Sequence, residues 1–546
     1  MSDARPELSI AAGETTTPLL EETIGACLQR TVSRFPDREA LVEVASGRRW
    51  TWRSFDEEVD RVARGLLGLG IEKGDRVGMW APNCAEWTIV QFATAKVGAI
   101  LVNINPAYRT HELAYALNQS GTTLLIAATS FKTSDYRAMV TEVVAAGEVD
   151  GLTRTLYVDS DDWDKLLEAG REQPADAVAT RMATLRPEDP INIQYTSGTT
   201  GYPKGATLSH RNILNNGYFT TELIGFTEQD RLCIPVPFYH CFGMVMGNLG
   251  CVSHGATMVI PAPGFDPAIT LQAVQDERCT GVYGVPTMFI AMQSHPDFAS
   301  YDLSSLRTGI MAGAVCPVEV MKRCINDMHM AEVSIAYGMT ETSPVSCQTR
   351  SDDDLERRTA TIGRAAPHVE IKVVDPVTGQ TLPRGEAGEF CTRGYSVMLG
   401  YWEDEAKTAE AIDADGWMHT GDLAVMRGDG YCTIVGRIKD MVIRGGENIY
   451  PREIEEFLYG HPDIEDVQVI GVPDEKYGEE LCAWVKLRAD AESLDAAAVW
   501  AFADGRLAHY KIPRYVMVVD EFPMTVTGKI RKVQMREESA KALGLA

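Results

Sequence analysis

The reading turns on Tyr195-Thr-Ser-Gly-Thr-Thr-Gly-Tyr-Pro-Lys-Gly-Ala206. The stretch combines the hydroxyls of Thr196, Ser197, Thr199 and Thr200, the glycines Gly198, Gly201 and Gly205, and one lysine, Lys204. Ile191-Asn-Ile-Gln-Tyr195 before it has strand chemistry. Ala206-Thr-Leu208 reads as a second short strand, and Ser209 as the N-cap of a helix through Ile213 and Leu214. The loop therefore hangs between ordered elements. Glycines let backbone N–H groups approach an anion closely, hydroxyls add neutral donors, and Lys204 adds a mobile positive charge. That set suits a polyphosphate. It is not a Walker A loop, because no Gly-Lys-Ser/Thr follows at the required spacing. The plain alternative is a polar surface loop.

Working outward, the whole chain bounds the answer. At 546 residues it exceeds one hydrophobic core and should divide into at least two domains. An apolar content of 45% and a charged content of 23% are those of a soluble globular protein. The net charge of −26 argues against nucleic acid and against docking on an anionic bilayer. Twelve scattered cysteines without a Cys-x-x-Cys pair indicate neither a zinc site nor a disulfide framework, and the expected location is a reducing cytoplasm. The acidic stretch Met1–Glu22 lacks the apolar centre of a secretory signal. No apolar run reaches the length of a membrane helix, and Gly-Leu-Ala546 is not the peroxisomal Ser-Lys-Leu address.

Upstream of the loop, residues 1–20 read as a loose tail and Glu21–Phe35 as a helix. Ser54-Phe-Asp-Glu57 reads as a capping box in front of the helical face Val59, Val62, Ala63, Leu66 and Leu67, closed by Gly68 and Gly70. Strands are expected at 76–80, 99–103, 123–127, 155–158 and 256–260, with a helix over 85–97. Strands alternating with helices imply an α/β fold with a parallel, doubly wound sheet.

The ten residues Thr196 to Gly205 resemble the phosphate loop of the adenylate-forming superfamily, which includes acyl-CoA synthetases, the adenylation domains of peptide synthetases and luciferases. Further motifs follow in the family's order along nearly the whole chain, and the likeness is strongest towards medium- and long-chain fatty-acyl-CoA ligases. The resemblance implies that Thr196, Ser197, Gly198, Thr199, Thr200, Gly201 and Lys204 hold the phosphates of ATP. Pro235-Val-Pro-Phe-Tyr-His-Cys-Phe-Gly-Met244 matches the fourth motif. His240 then lies beside the substrate carboxylate and gates the route to the thiol, although a histidine among aromatics also reads as a packed core residue. Gly281–Met288 and Gly309–Ala314 read as buried strands with turns. By resemblance they line the adenine site (Gly313, Ala314) and an apolar acyl pocket formed by His240, Met244, Val285, Met288, Gly309, Gly338 and Val345. No charged residue stands among these except the titratable His240, which argues against amino-acid substrates.

Tyr337-Gly-Met-Thr-Glu-Thr342 matches the fifth motif: Tyr337 and Gly338 for adenine, Thr340 for phosphate, Glu341 for Mg2+. Gly416-Trp-Met-His-Thr-Gly-Asp-Leu423 matches the seventh, with Asp422 on the ribose diol. Val435–Tyr450 matches the eighth. There Arg437 reaches ribose or phosphate, Lys439 is the hinge, and Gly445 and Gly446 line the path of coenzyme A. Pro523-Met-Thr-Val-Thr-Gly-Lys529 matches the tenth, with Lys529 catalytic.

The expected architecture is a large N-terminal domain, residues 1–438, of stacked sheets with packed helices, and a small mobile α+β lid, residues 439–546. Pro451 should open a lid helix, followed by strands near 466–472 and 481–487 and a helix over 496–507. The expected activity is a two-step, ATP-dependent ligation. A fatty acid of medium chain length becomes an acyl-adenylate with release of pyrophosphate, and the acyl group then passes to the thiol of coenzyme A. Short branched, thioether and aryl acids stay open as substrates. Loading of a carrier protein, a luciferase-like oxygenation and a catalytically dead nucleotide sensor are the rival readings. The oligomeric state is open, a homodimer being one arrangement. The match at Lys529 to a motif acetylated in bacterial relatives implies a lysine acetyltransferase as a regulatory partner.

Overall fold

The computed structural model describes residues 7–196, 203–314, 316–445, 447–489, 491, 493–524 and 530–545. The chain forms two compact units. The larger takes residues 10–371 and 391–419. The smaller takes 372–390 and the chain from 420 onward, together with the residues before 10. Residues 420–426 hydrogen-bond back to 385–390, with Thr420 Oγ1 donating to the Phe390 carbonyl (2.6 Å) and the Gly385 N–H to that of Met426 (2.9 Å), so segments distant in sequence fold together.

Two large sheets lie in the larger unit. A seven-stranded sheet runs Gly400–Tyr401, Lys204–Ser209, Pro190–Thr196, Ile100–Asn103, Arg76–Trp80, Leu124–Ala127, Arg154–Tyr157. Its last five strands are parallel, as the alternation predicts. A nine-stranded sheet runs Arg364–Ala365, Val345–Gln348, Glu332–Gly338, Thr308–Ala312, Gly281–Gly284, Arg231–Cys233, Thr257–Ile260, Glu39–Glu43, Arg48–Thr51, with parallel pairing from Glu332–Gly338 to Glu39–Glu43. The helix Ala85–Val97 is buried on every side, which is why it shows no amphipathic stripe. Its Lys96 is desolvated and is neutralised by Asp56 and Asp60 at 2.5 and 2.6 Å. The helix His210–Glu222 reaches both neighbouring layers: Asn212 donates to the Val397 carbonyl at 3.1 Å, and Asn216 bonds the backbone of Val345.

Two local expectations need correction. The long helix begins at Trp52, and its capping box is Thr51 with Ser54, not Ser54 with Glu57. The strand Arg48–Thr51 feeds straight into the helix, so the residue that must cap it is the last of the strand. The stretch 10–20 is no loose tail. Ile10–Ala12 forms a strand, the Gly13 N–H donates to the Val369 carbonyl at 2.8 Å, and Asn215 brackets the Leu20 backbone as both acceptor (2.6 Å) and donor (3.0 Å).

In the smaller unit, Pro451 occupies the first turn of the helix Pro451–Leu458, as expected for a residue without an N–H. Within the hairpin Ile464–Asp474 and Gly478–Leu487, the second strand also pairs with Tyr515–Val518 and, at Gly478, with Val442–Arg444. Its core gathers Val442, Ile449, Ile454, Leu458, Val467, Leu481 and Val499.

Candidate active site

The glycine-rich loop springs from an antiparallel hairpin in which Thr196 stands opposite Lys204. Both shoulders are braced. The Tyr195 hydroxyl lies 2.7 Å from Gln119 Oε1, Tyr115 donates to the Pro203 carbonyl at 3.0 Å, and Gln119 donates to that of Trp402 at 2.8 Å. Ser197, Gly198, Thr199, Thr200 and Gly201 lie outside the described residues, as do Gly446 and Lys529.

Five further sequence candidates lie at the carboxyl ends of parallel strands, where open α/β sheets bind ligands. In the nine-stranded sheet Gly284 pairs with Met311, and Ala312 with Ala336. Val285, Gly313, Ala314, Tyr337 and Gly338 therefore lie along one sheet edge. Gly313 has φ +87°, a conformation an L side chain rarely adopts. At Gly338 the backbone turns so tightly that a β-carbon would sit 1.7 Å from the Pro344 carbonyl oxygen. The strand then gives way to a single turn, Thr340–Thr342, closed by the Thr342 hydroxyl on the carbonyls of Met339 (3.0 Å) and Pro344 (2.7 Å).

That turn buries Glu341, 5% exposed, against the first hairpin. Thr196 Oγ1 lies 3.3 Å from Glu341 Oε1, and the Tyr401 hydroxyl donates to the same oxygen at 2.9 Å. Tyr401 also carries the Lys204 ammonium over its ring, 4.9 Å from the centroid. Burial and the neighbouring Glu341 carboxylate push the Tyr401 hydroxyl above its ordinary pKa, so it stays a donor. Thr196, Lys204, Glu341 and Tyr401 thus form one contiguous cluster.

His240 precedes the wide-pitched helix Phe242–Leu249. Its Nδ1 accepts the Phe242 N–H at 3.1 Å, which places the ring proton on Nε2. Val285 and Met288 are half-buried, and Val345 is fully buried. Two acyl-pocket candidates have other work. The Met244 sulfur accepts from Asn103 Nδ2 (3.1 Å) and Gln194 Nε2 (3.3 Å) inside a buried amide network. At Gly309 a β-carbon would meet the Val282 carbonyl oxygen at 2.1 Å and the Met330 methyl at 2.5 Å, so the volume this glycine releases is taken by sheet packing.

In the smaller unit, Asp422 and Arg437 face one another across a hairpin, with the guanidinium Nε 2.8 Å from the carboxylate. Lys439 lies in the turn Ile438–Asp440, where Arg536 donates to its carbonyl and to Asp440 Oδ1, both at 3.1 Å. Gly445, at φ +61°, hydrogen-bonds the Tyr477 carbonyl.

Sequence reading missed Tyr401 and Asn216. Leu399-Gly-Tyr-Trp402 carries a visible signal, an aromatic pair after a glycine, but nothing in it tells which sheet receives it. Asn216 sits in a helix interior, where a buried amide must find partners: Asn216 donates to the Val345 carbonyl (2.9 Å) and accepts its N–H (3.0 Å), pinning the strand that follows Glu341.

These features meet in known proteins. Residues 28–402 match the AMP-binding enzyme family and residues 453–529 its C-terminal domain, and the chain belongs to that family. It is an ATP-dependent acyl-CoA ligase by class. It is 49% identical to the putative acyl-CoA synthetase YngI of Bacillus subtilis, across 97% of this chain and 99% of that one. It is 46% identical to the mitochondrial medium-chain acyl-CoA ligase ACSF2 of Danio rerio, across 98% and 91%. Among solved structures, ATP-bound MatB from Rhodopseudomonas palustris superposes with a TM-score of 0.82 at 30% identity, across 96% of this chain and 100% of that one. Among the described residues no helix is long and apolar enough to cross a membrane.

Proposed function

We propose that this enzyme joins a medium-chain fatty acid to coenzyme A through an acyl-adenylate. The observation that carries the reading is the buried Glu341 carboxylate set against Thr196 and Tyr401, with Lys204 alongside at the shoulder of the glycine-rich loop. A hard oxygen, a hydroxyl and an ammonium converge as a polyphosphate requires. The chain-length reading rests on the medium-chain ligases among its relatives and on the uncharged lining of the pocket candidates.

In this reading Tyr337, Gly338, Gly313 and Ala314 bound adenine, and Asp422 and Arg437 take the ribose. Lys204, Thr196, Thr340 and the loop residues 197–201 take the phosphates. The donor set at Glu341 fits Mg2+, which prefers hard oxygens; bound there, the ion supplies neutralising charge to the polyphosphate. His240 presents Nε2–H to the substrate carboxylate beside the acyl pocket. A carboxylate oxygen bonds to the α-phosphorus as the bond to pyrophosphate breaks, and Lys529 offsets the repulsion between the anions. The sulfur of coenzyme A then bonds to the acyl carbon as AMP leaves. Gly445 and Gly446 leave room for the pantetheine arm, and Lys439 is the hinge between the two steps, with a lid beginning at that residue. Acetylation of Lys529 would remove its charge and switch the first step off. The expected location is the cytoplasm.

The test is pyrophosphate release with straight-chain acids from short to long, and with branched, thioether and aryl acids, each with and without coenzyme A. Acid-dependent pyrophosphate, turnover restored by coenzyme A and an optimum at medium chain length are expected. An optimum on aryl or branched acids overturns the substrate, and no acid-dependent pyrophosphate overturns the reaction.

A further inference from the structure

Tyr401 belongs to a two-residue strand, Gly400–Tyr401, at the end of the seven-stranded sheet. Pairing of Ala206 with Tyr401 and Thr207 with Gly400 brings it beside the strand that begins at Lys204. Its register is further fixed by the Leu399 N–H on the Thr207 carbonyl (2.9 Å), the Trp402 N–H on the Gly205 carbonyl (2.7 Å) and the Thr408 hydroxyl accepting the Tyr401 N–H (2.8 Å). A residue held by this many backbone bonds has a fixed place, and from it one side chain touches two groups of the site. The hydroxyl meets Glu341 Oε1 at 2.9 Å, and the ring face lies 4.9 Å from Lys204 Nζ. Without that face Lys204, on a flexible four-carbon stem, could collapse onto the nearby Glu341 carboxylate. A direct ion pair would spend both groups on each other.

We propose that Tyr401 is a positioning residue for the nucleotide and its cation: the hydroxyl fixes the Glu341 carboxylate, and the ring keeps the Lys204 ammonium off that carboxylate and aimed at the phosphates. The inference rests on the nucleotide reading of this site. It assigns two separable jobs to one side chain. Outer partners of a metal-binding carboxylate are typically worth about 10–100-fold in metal affinity. Tyr401→Phe removes only the hydroxyl, whereas Tyr401→Leu removes the ring face as well.

The experiment measures Mn2+ binding by electron paramagnetic resonance, in the presence of an ATP analogue with a methylene between the α- and β-phosphorus. Binding of the same analogue without metal is measured by calorimetry. Thermal melting of each variant checks that it is folded. Tyr401→Phe is expected to weaken Mn2+ binding about tenfold or more while leaving metal-free analogue binding within a factor of about two. Tyr401→Leu is expected to weaken the metal-free binding also, by severalfold. Wild-type Mn2+ affinity in Tyr401→Phe, with the fold intact, overturns the first job. Wild-type metal-free binding in Tyr401→Leu overturns the second. If the wild-type enzyme binds no Mn2+–analogue complex, the nucleotide reading itself falls, a result distinct from either.

Discussion

Met244, an acyl-pocket candidate, also serves as an acceptor inside a buried amide network. Its sulfur is a weak acceptor, yet it takes two amide donors, Asn103 and Gln194, while its own carbonyl accepts from Gln91 at 3.0 Å. Met244→Ala leaves a cavity and takes one acceptor from each of two buried amides, which keep the Tyr239 carbonyl and Asn192 Oδ1, so a loss of about 2–5 kcal/mol is expected. Met244→Leu keeps the volume and loses only the acceptor, costing about 1–3 kcal/mol. Urea unfolding separates the two, and a shifted chain-length profile without a stability loss would return Met244 to the acyl pocket. His210 offers a second test. Its Nδ1 accepts the Ile24 N–H at 3.2 Å, and burial pushes its pKa from 6.5 down to about 3, with Asp189 opposing. Below pH 6.5 the unfolded chain therefore takes up a proton that the folded one refuses. The stability is complete above that pH and falls as pH drops towards 3, by about 1.4 kcal/mol per unit. His210→Gln keeps an acceptor and removes the titration. Its unfolding free energy should change less than that of wild type between pH 7 and pH 5, by about 2 kcal/mol; parallel pH profiles would reject the assignment.

The elements were more legible than the contacts between them. Pro190–Thr196 and Lys204–Ser209 flank the glycine-rich stretch as the sequence predicts, and Ser209 caps the helix that follows, with Asn212 completing its capping box. These are local facts, settled by alternation, capping chemistry and proline. The motif order likewise marked Glu341, Lys204 and the Asp422–Arg437 pair. What stayed hidden depends on pairing between distant segments. Tyr401 enters the site only because a two-residue strand adds to the Lys204–Ser209 edge. The volume at Gly309 goes to sheet packing only because Val282 and Met330 face it. A periodicity cannot reveal such partners. Asn216 belongs to this class and can be tested at this scale. Asn216→Ala orphans the buried N–H and carbonyl of Val345, at about 1–3 kcal/mol each. Because that strand follows the Glu341 turn, pyrophosphate release should fall along with the melting temperature. A stability loss with unchanged turnover would confine Asn216 to packing.

At the scale of the whole molecule the proposed reaction asks two things of one site in succession. Lys529 carries the charge needed when carboxylate and triphosphate meet, whereas the thioester step has no triphosphate left to neutralise. Lys529→Ala should therefore lose adenylation by about 100-fold or more, the scale of removing one transition-state charge contact. Given a pre-made acyl-adenylate and coenzyme A, the same variant should still form thioester at near the normal rate. Gly446→Trp should do the reverse, since an indole on the proposed pantetheine path blocks the thiol and spares the ATP site. Lys439→Pro should resemble Gly446→Trp, because proline fixes φ where the hinge must turn. The proposed hinge carries a restraint: Arg536 donates to the carbonyl of Lys439 and the carboxylate of Asp440. Arg536→Ala, which removes those two bonds without fixing φ, should leave thioester formation at or above the wild-type rate. Both half-reactions measured for all four variants decide the matter. If Lys529→Ala, Gly446→Trp and Lys439→Pro lose both steps equally, the smaller unit does not alternate between two roles, and a mechanism with one fixed arrangement takes its place.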